Sequence, residues 1–236
     1  GDQNSFLNAG DNVSVTATFS EAVDVASGNP RITLSVGSDN ETATYASGSG
    51  SANLVFRYTI QSGDTDTNGI SIRANALDDN GSTISDPALN NADLTHNLAD
   101  NNSSYKVDTI LPTIDNVSIT SAEGIQNSFL NAGDNVSVTV TFSEEVDVDN
   151  SSANPTLTMI VGSTNRPATY ASGSGSTQLV FRYTVKATGT LGENDDDGIS
   201  IGANAFALPD NSTIRDPALN NADLTHNLVD NNSSYK

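Results

Sequence analysis

The chain has 236 residues, with 29 aspartates and glutamates against 9 lysines and arginines, for a net charge of −20. So acidic a chain does not suit nucleic acid, whose phosphates need lysine and arginine, or an anionic membrane face; it suits a well-solvated surface or one that collects cations. No cysteine is present, which excludes disulfides and thiolate-bound metal, and no apolar run is long enough to span a bilayer.

In chain order, the first long element is "NVSVTATF" from Asn12, followed by "ITLSV" from Ile32. "SGSG" at 47–50 reads as a hairpin turn between "TATYA" and "ANLVF", since glycines and serines between two β-rich runs mark such turns. "LVFRYTI" from Leu54 and "GISI" from Gly69 read as further strands. Between them lies "DTDTNG", with side-chain oxygens at Asp64, Asp66 and Asn68 and a glycine at Gly69. "DPALNNADLTHNL" from Asp86 closes this set, and "KVDTILP" from Lys106 reads as a linker.

The whole pattern then repeats. "QNSFLNAGDNVSVT" from Gln3 recurs from Gln126, "ATYASGSG" from Ala43 recurs from Ala168, and "DPALNNADLTHNL" recurs from Asp216. The spacing between copies grows along the chain because the loops lengthen while the strand-like segments keep their lengths, as surface loops tolerate insertion. In the second copy "NVSVTVTF" sets Val136, Val138, Val140 and Phe142 against polar neighbours, the period-two pattern of a half-buried strand. Its strands in order are "NVSIT" at 116, "NVSVTVTF" at 135, "TLTMIV" at 156, "ATYA" at 168, "TQLVFRYTV" at 177, "GISIGA" at 198 and "LTHNL" at 224. Nothing shows sustained helical periodicity.

About seven antiparallel strands per copy with frequent turns predict an all-β chain of two tandem immunoglobulin-like β-sandwich domains. The first spans 1–106 and lacks its leading strand; the second spans 107–236 and includes the linker 107–113. The phase of the copies leads us to expect a parent with a longer tandem array. In such a topology the 64–69 loop falls at the end of the first domain nearest the linker.

The segments "FSEAVDV", "ATYASGSG", "GDTDTNGISI", "DPALNNADLTH" and "YKVDTILPTI" resemble the bacterial immunoglobulin-like repeats of very large surface proteins. The resemblance is to the repeat named for a cyanobacterial swimming-motility surface protein, also found in giant adhesins of marine and soil bacteria, and it covers nearly the whole chain. It implies secretion to the bacterial cell surface, a tandem array of β-sandwiches and calcium at domain junctions. The chain departs from the pattern where a small "AAGN"-type turn reads "PALNN", and where the first copy lacks its leading strand.

Calcium takes six to eight oxygen ligands, and alternate residues of a tight loop can aim side chains at one point. The loop set is Asp64, Asp66 and Asn68, matched in the second copy by Glu193, Asp195 and Asp197 ahead of Gly198. The twelfth position, a bidentate glutamate in EF-hands, is Asn75 or Asn204. A solvated turn, in which Asp and Asn favour bends, is the other reading. A junction site, drawn from the topology and the resemblance, gathers Asp108, Glu144, Asp147 and Asp216; the equivalents in the first copy are Glu21, Asp24 and Asp86. Asp86, Asn90, Asn91 and Asp93 are a further candidate ligand set; the other reading, which we favour, is that they shape turns through side-chain to backbone bonds.

His96 and His226 occupy one repeat position and read as structural residues, since one histidine per copy without cysteine is a poor zinc or catalytic set. No nucleophile–base pairing stands out, so no enzyme is expected. The recurring tyrosines read as strand packing, and the N-x-S/T triplets at Asn40 and Asn116 carry little weight in so Asn- and Ser-rich a chain. Three functions follow: calcium-rigidified extender repeats of a surface protein or adhesin, whose partners are neighbouring repeats of the same polypeptide; a subunit of a surface layer or extracellular fibre built from identical chains by strand donation; and a ligand-binding adhesin module.

Overall fold

The computed structural model describes residues 6–186 and 195–236, and the chain divides into two compact units, Gly1–Ile110 and Leu111–Lys236. The first carries β1 (Phe6–Leu7), β2 (Asn12–Ala26), β3 (Arg31–Val36), β4 (Asp39–Ser47), β5 (Ser51–Thr59), β6 (Thr65–Asp66), β7 (Leu77–Asp78), β8 (Thr83–Ser85) and β9 (Lys106–Asp108). The second carries β10 (Ile114–Glu123), β11 (Asn135–Asp149), β12 (Thr156–Val161), β13 (Thr164–Ser172), β14 (Ser176–Thr184), β15 (Ile199–Ala207), β16 (Thr213–Arg215) and β17 (Val229–Asn232). The described residues are all-β apart from a single 3-10 turn at Pro209–Asn211, and among them no helix is long and apolar enough to cross a membrane.

In the first unit one sheet runs β7-β3-β4-β5-β2-β8 and a smaller one runs β1-β9-β6. In the second unit one sheet runs β10-β11-β14-β13-β12-β15-β17, with β16 paired to β11 off that path. Its end strands β10 and β17 come into contact, so the antiparallel sheet curls toward closure around its core. The arrangement is all-β and consistent with an immunoglobulin-like β-sandwich topology in general. One strand-to-strand pairing among the described residues is parallel, β1 with β9, against the expectation of antiparallel strands throughout.

The long strand of each unit serves two neighbours. β2 runs against β5 as far as Thr18, shifts register before Val23, and then pairs with β8. β11 does the same with β14 and then β16, its shift falling between Thr141 and Val146. A strand that bends from one partner to another makes the corner of a sandwich. The hairpin at 47–50 joins β4 to β5, and Tyr45 clamps it by accepting the Ser49 N–H at 2.8 Å on its hydroxyl. Tyr170 accepts the Ser174 N–H at 2.9 Å in the same way.

Each unit has its own core. Leu34, Leu54 and Phe56 are fully buried in the first, and their counterparts Met159, Leu179 and Phe181 in the second. Each such side chain contributes roughly 1.5–3 kcal/mol by leaving water. Tyr45 meets Phe56 edge-on at 6.1 Å and Tyr170 meets Phe181 at 6.0 Å, the offset geometry that ring quadrupoles favour.

Two expected strands are absent as strands. "LTHNL" forms no ladder in either unit; β17 begins only after it, at Val229. "GISI" in the first unit makes only isolated bridges, Ser35 with Ser71 and Ile72 with Ala99, whereas its counterpart opens β15 and pairs with β12.

Candidate functional site

The 64–69 loop lies where the chain leaves the first unit. β6 pairs with β9, Thr65 opposite Asp108 and Asp66 opposite Val107. Thr109 ties the two segments by accepting the Gly63 N–H at 2.8 Å and donating to the Asp64 carbonyl at 3.0 Å.

Within this loop the chain's own donors engage both carboxylates. Asp66 is 3 % exposed; its Oδ1 accepts the N–H groups of Asn68 at 3.1 Å and Gly69 at 2.7 Å, and its Oδ2 accepts that of Gly37 at 2.8 Å. Three backbone donors supply what burial of a carboxylate requires. Asp195 repeats the arrangement with Gly198 at 2.7 Å and Gly162 at 2.8 Å. Asp64 accepts the Tyr58 hydroxyl at 2.6 Å and the Gln61 N–H at 2.8 Å. Burial, reinforced by the Asp64 carboxylate, pushes the Tyr58 hydroxyl far above its usual range, so it remains a donor. Asn68 is exposed, and Asp197 accepts the Asn231 side-chain amide at 2.7 Å. Glu193 lies outside the described residues. Gly69 stands at φ +99° with the Asn102 carbonyl where a Cβ would be, so the turn that aims its N–H at Asp66 admits glycine alone.

The asparagines at the twelfth position have a conformational task. Asn75 and Asn204 stand at φ 57° and φ 52°, a left-handed region that asparagine tolerates, and their Oδ1 atoms accept the N–H groups of His96 at 3.0 Å and His226 at 2.9 Å. The histidines reciprocate. Nε2 of His96 accepts the Ala76 N–H at 2.8 Å while Nδ1 faces the Asn97 carbonyl at 2.8 Å. That pairing puts the proton on Nδ1. His226 does the same with Ala205 and Asn227. Both ring nitrogens are thus committed to backbone, and the clamp holds "LTHNL" extended without a ladder. The recurrence of Asn75 with His96, 21 residues apart, was the available signal for this clamp; residue type alone does not reveal it.

The "DPALNN" segment is a turn built on its aspartate. Asp86 accepts the Asn90 backbone and side-chain N–H groups, each at 2.8 Å, Asn91 bridges to Ser85, and Asp93 accepts the Thr95 N–H at 2.9 Å. Asp216 makes the same two bonds with Asn220 but is fully buried, where Asp86 is half-buried.

In the second unit Asp216 has an acidic neighbour: a carboxylate oxygen of Glu144 lies within 4.8 Å of one of its own. Two oxygens bound to one calcium at 2.3–2.6 Å can be about that far apart, so the pair fits two places of a calcium shell. The pair stands beside the entrance of the linker. Thr113 exchanges bonds with Ser143, the residue before Glu144, at 3.0 and 2.8 Å, and Asp223 donates its N–H to the Pro112 carbonyl at 2.8 Å. Asp147 is turned elsewhere; it is exposed and accepts the Ser174 hydroxyl at 3.2 Å. Asp108, in the first unit, caps the turn after β9 by accepting the Ile110 N–H at 3.1 Å. The first-copy set does not gather: Glu21 and Asp24 are exposed, Asp24 accepts the Ser49 hydroxyl at 3.4 Å, and among the described residues no three acidic or histidine side chains of the first unit alone converge.

Comparison of the chain with family models, with curated proteins and with solved structures returned no match.

Proposed function

We propose that the chain is a pair of immunoglobulin-like extender repeats from a large secreted bacterial surface protein or adhesin, and that calcium at the junction stiffens the rod. The observation that carries this reading is the Glu144–Asp216 pair beside the entrance of the linker. Two carboxylates so close disfavour each other's charge, and a divalent cation relieves that cost while filling several coordination places at once. Asp108 is the third ligand in this reading, since the chain tethers it only five residues before Thr113. The recurring polar side chains support a scaffold role: Asp66, His96, Asn75, Asp86 and their counterparts all bind the chain's own backbone. Neighbouring repeats of the same polypeptide are then its natural partners, and the acidic surface keeps a long array solvated.

The test is thermal unfolding with calcium and with chelator, for the chain and for Asp216→Asn. A calcium concentration near 100 times the dissociation constant stabilises by roughly 2.7 kcal/mol, and the variant loses that increment. A melting temperature indifferent to calcium contradicts the reading.

A further inference from the structure

The sequence holds two Asn-Gly pairs, Asn68–Gly69 and Asn80–Gly81, and the fold treats them in opposite ways. Such a pair carries its own chemistry. The glycine nitrogen can attack Cγ of the asparagine, because a glycine has no side chain to obstruct the approach and its backbone turns freely. A five-membered ring closes through the new N–Cγ bond, the Cγ–Nδ2 bond breaks, and the proton lost from the glycine nitrogen leaves with Nδ2 as ammonia. Water then opens the ring on either side, giving aspartate or isoaspartate. Nothing is oxidised or reduced, and water is the one co-reactant.

Gly69 is closed to this route. It is buried, its N–H is held at 2.7 Å by the Asp66 carboxylate that also holds the Asn68 N–H, and the Asn102 carbonyl backs directly onto it. Attack requires the peptide between Asn68 and Gly69 to turn, which breaks bonds to a buried carboxylate.

Gly81 is open. Ser82 donates its N–H to the Asp79 carbonyl at 2.8 Å and closes a tight turn, with Asn80 at φ 49° and Gly81 at φ 76°, the two positive angles of a type I′ turn. Both residues are exposed, and nothing lies within 4 Å of where a Gly81 Cβ would stand. The Gly81 N–H meets the exposed Asp79 carboxylate at 3.2 Å, and Nδ2 of Asn80 donates to the Asn29 carbonyl at 3.1 Å; both bonds are long and open to water.

The second unit shows which product the turn accepts. There Ser212 donates to the Pro209 carbonyl at 2.9 Å, with Asp210 at φ 49° and Asn211 at φ 62°. An aspartate therefore already stands where the first unit has Asn80, in the same conformation. Isoaspartate instead adds one atom to the main chain between the two residues that the Ser82–Asp79 bond clips together.

We propose that Asn80 is a self-modification site: in the folded chain it converts to aspartate and isoaspartate through the ring formed with Gly81, while Asn68 stays intact. The aspartate product keeps the turn, and the isoaspartate product opens it.

The full chain, held in mildly alkaline buffer and sampled over time by proteolysis and mass spectrometry, tests this. The expected result is conversion at Asn80 at least about tenfold faster than at Asn68, with the two rates converging in denaturant, where neither pair is held. Gly81→Asn, the residue that the second copy carries at this place in the turn, slows conversion at Asn80 at least about tenfold in the folded chain. The separated isoaspartate form melts below the parent chain, and the aspartate form melts with it. The proposal is overturned if Asn68 converts as fast as Asn80 in the folded chain, if Asn80 converts in denaturant alone, or if Gly81→Asn leaves the rate unchanged.

Discussion

Asp66 shows what spacing does and does not carry. Asp64, Asp66 and Asn68 stand at alternate positions before a glycine, and that much is legible in the sequence. The direction of each oxygen is not: Asp66 faces inward to the N–H groups of Gly37, Asn68 and Gly69, while Asp64 faces Tyr58. Gly37 is distant in sequence and reaches Asp66 only because β3 and β4 turn there. Asp66→Asn replaces one acceptor oxygen by an amide that cannot accept, which leaves buried N–H groups unmatched; we expect a loss of about 2–3 kcal/mol. Because these bonds are internal, the loss measured by denaturant unfolding is equal in calcium and in chelator. A loss confined to calcium-containing buffer would instead make Asp66 an ion ligand.

Strands with strict alternation, β2 and β11 above all, are readable from the sequence because half-burial leaves a period of two. Their mid-course change of partner is not, since it arises from which neighbour each half meets. "LTHNL" alternates as a strand does, yet the His226 and Asn204 clamp satisfies its backbone and removes the need for a ladder. The turns have a pH signature of their own. Asn90 holds the Asp86 carboxyl below its usual range through its side-chain amide and then its backbone N–H. For Asp78 the Asn80 N–H and then the Arg31 guanidinium do so, and for Asp93 the Thr95 N–H. A carboxyl depressed in the folded state stabilises the fold above its unfolded value, near 3.9, and loses that contribution as pH falls through the folded value. The stability gap between the chain and its Asp86→Asn variant is therefore constant from neutral pH to about 5 and narrows below about 4. A gap that closes between pH 7 and 5 would assign the effect to another group.

At the scale of the molecule, the repeat itself is the most legible feature, and comparing its two copies separates what the fold requires from what varies. Asp66 and Asp195 share their bonds to two glycine N–H groups, His96 and His226 share the bonds of their clamp, and Tyr45 and Tyr170 share the hairpin bond. Asp86 and Asp216 keep their turn bonds but differ in burial. Sequence comparison of the two copies gives no hint of that difference, which depends on what the folded chain packs over the turn. In the function proposed above, calcium converts the joint between repeats from loose to stiff. Small-angle scattering of the chain measures this. The expected result is an extended and narrow distance distribution in calcium that broadens in chelator, with Asp216→Asn resembling the chelated state in either buffer; superimposable curves in calcium and chelator would overturn the proposal.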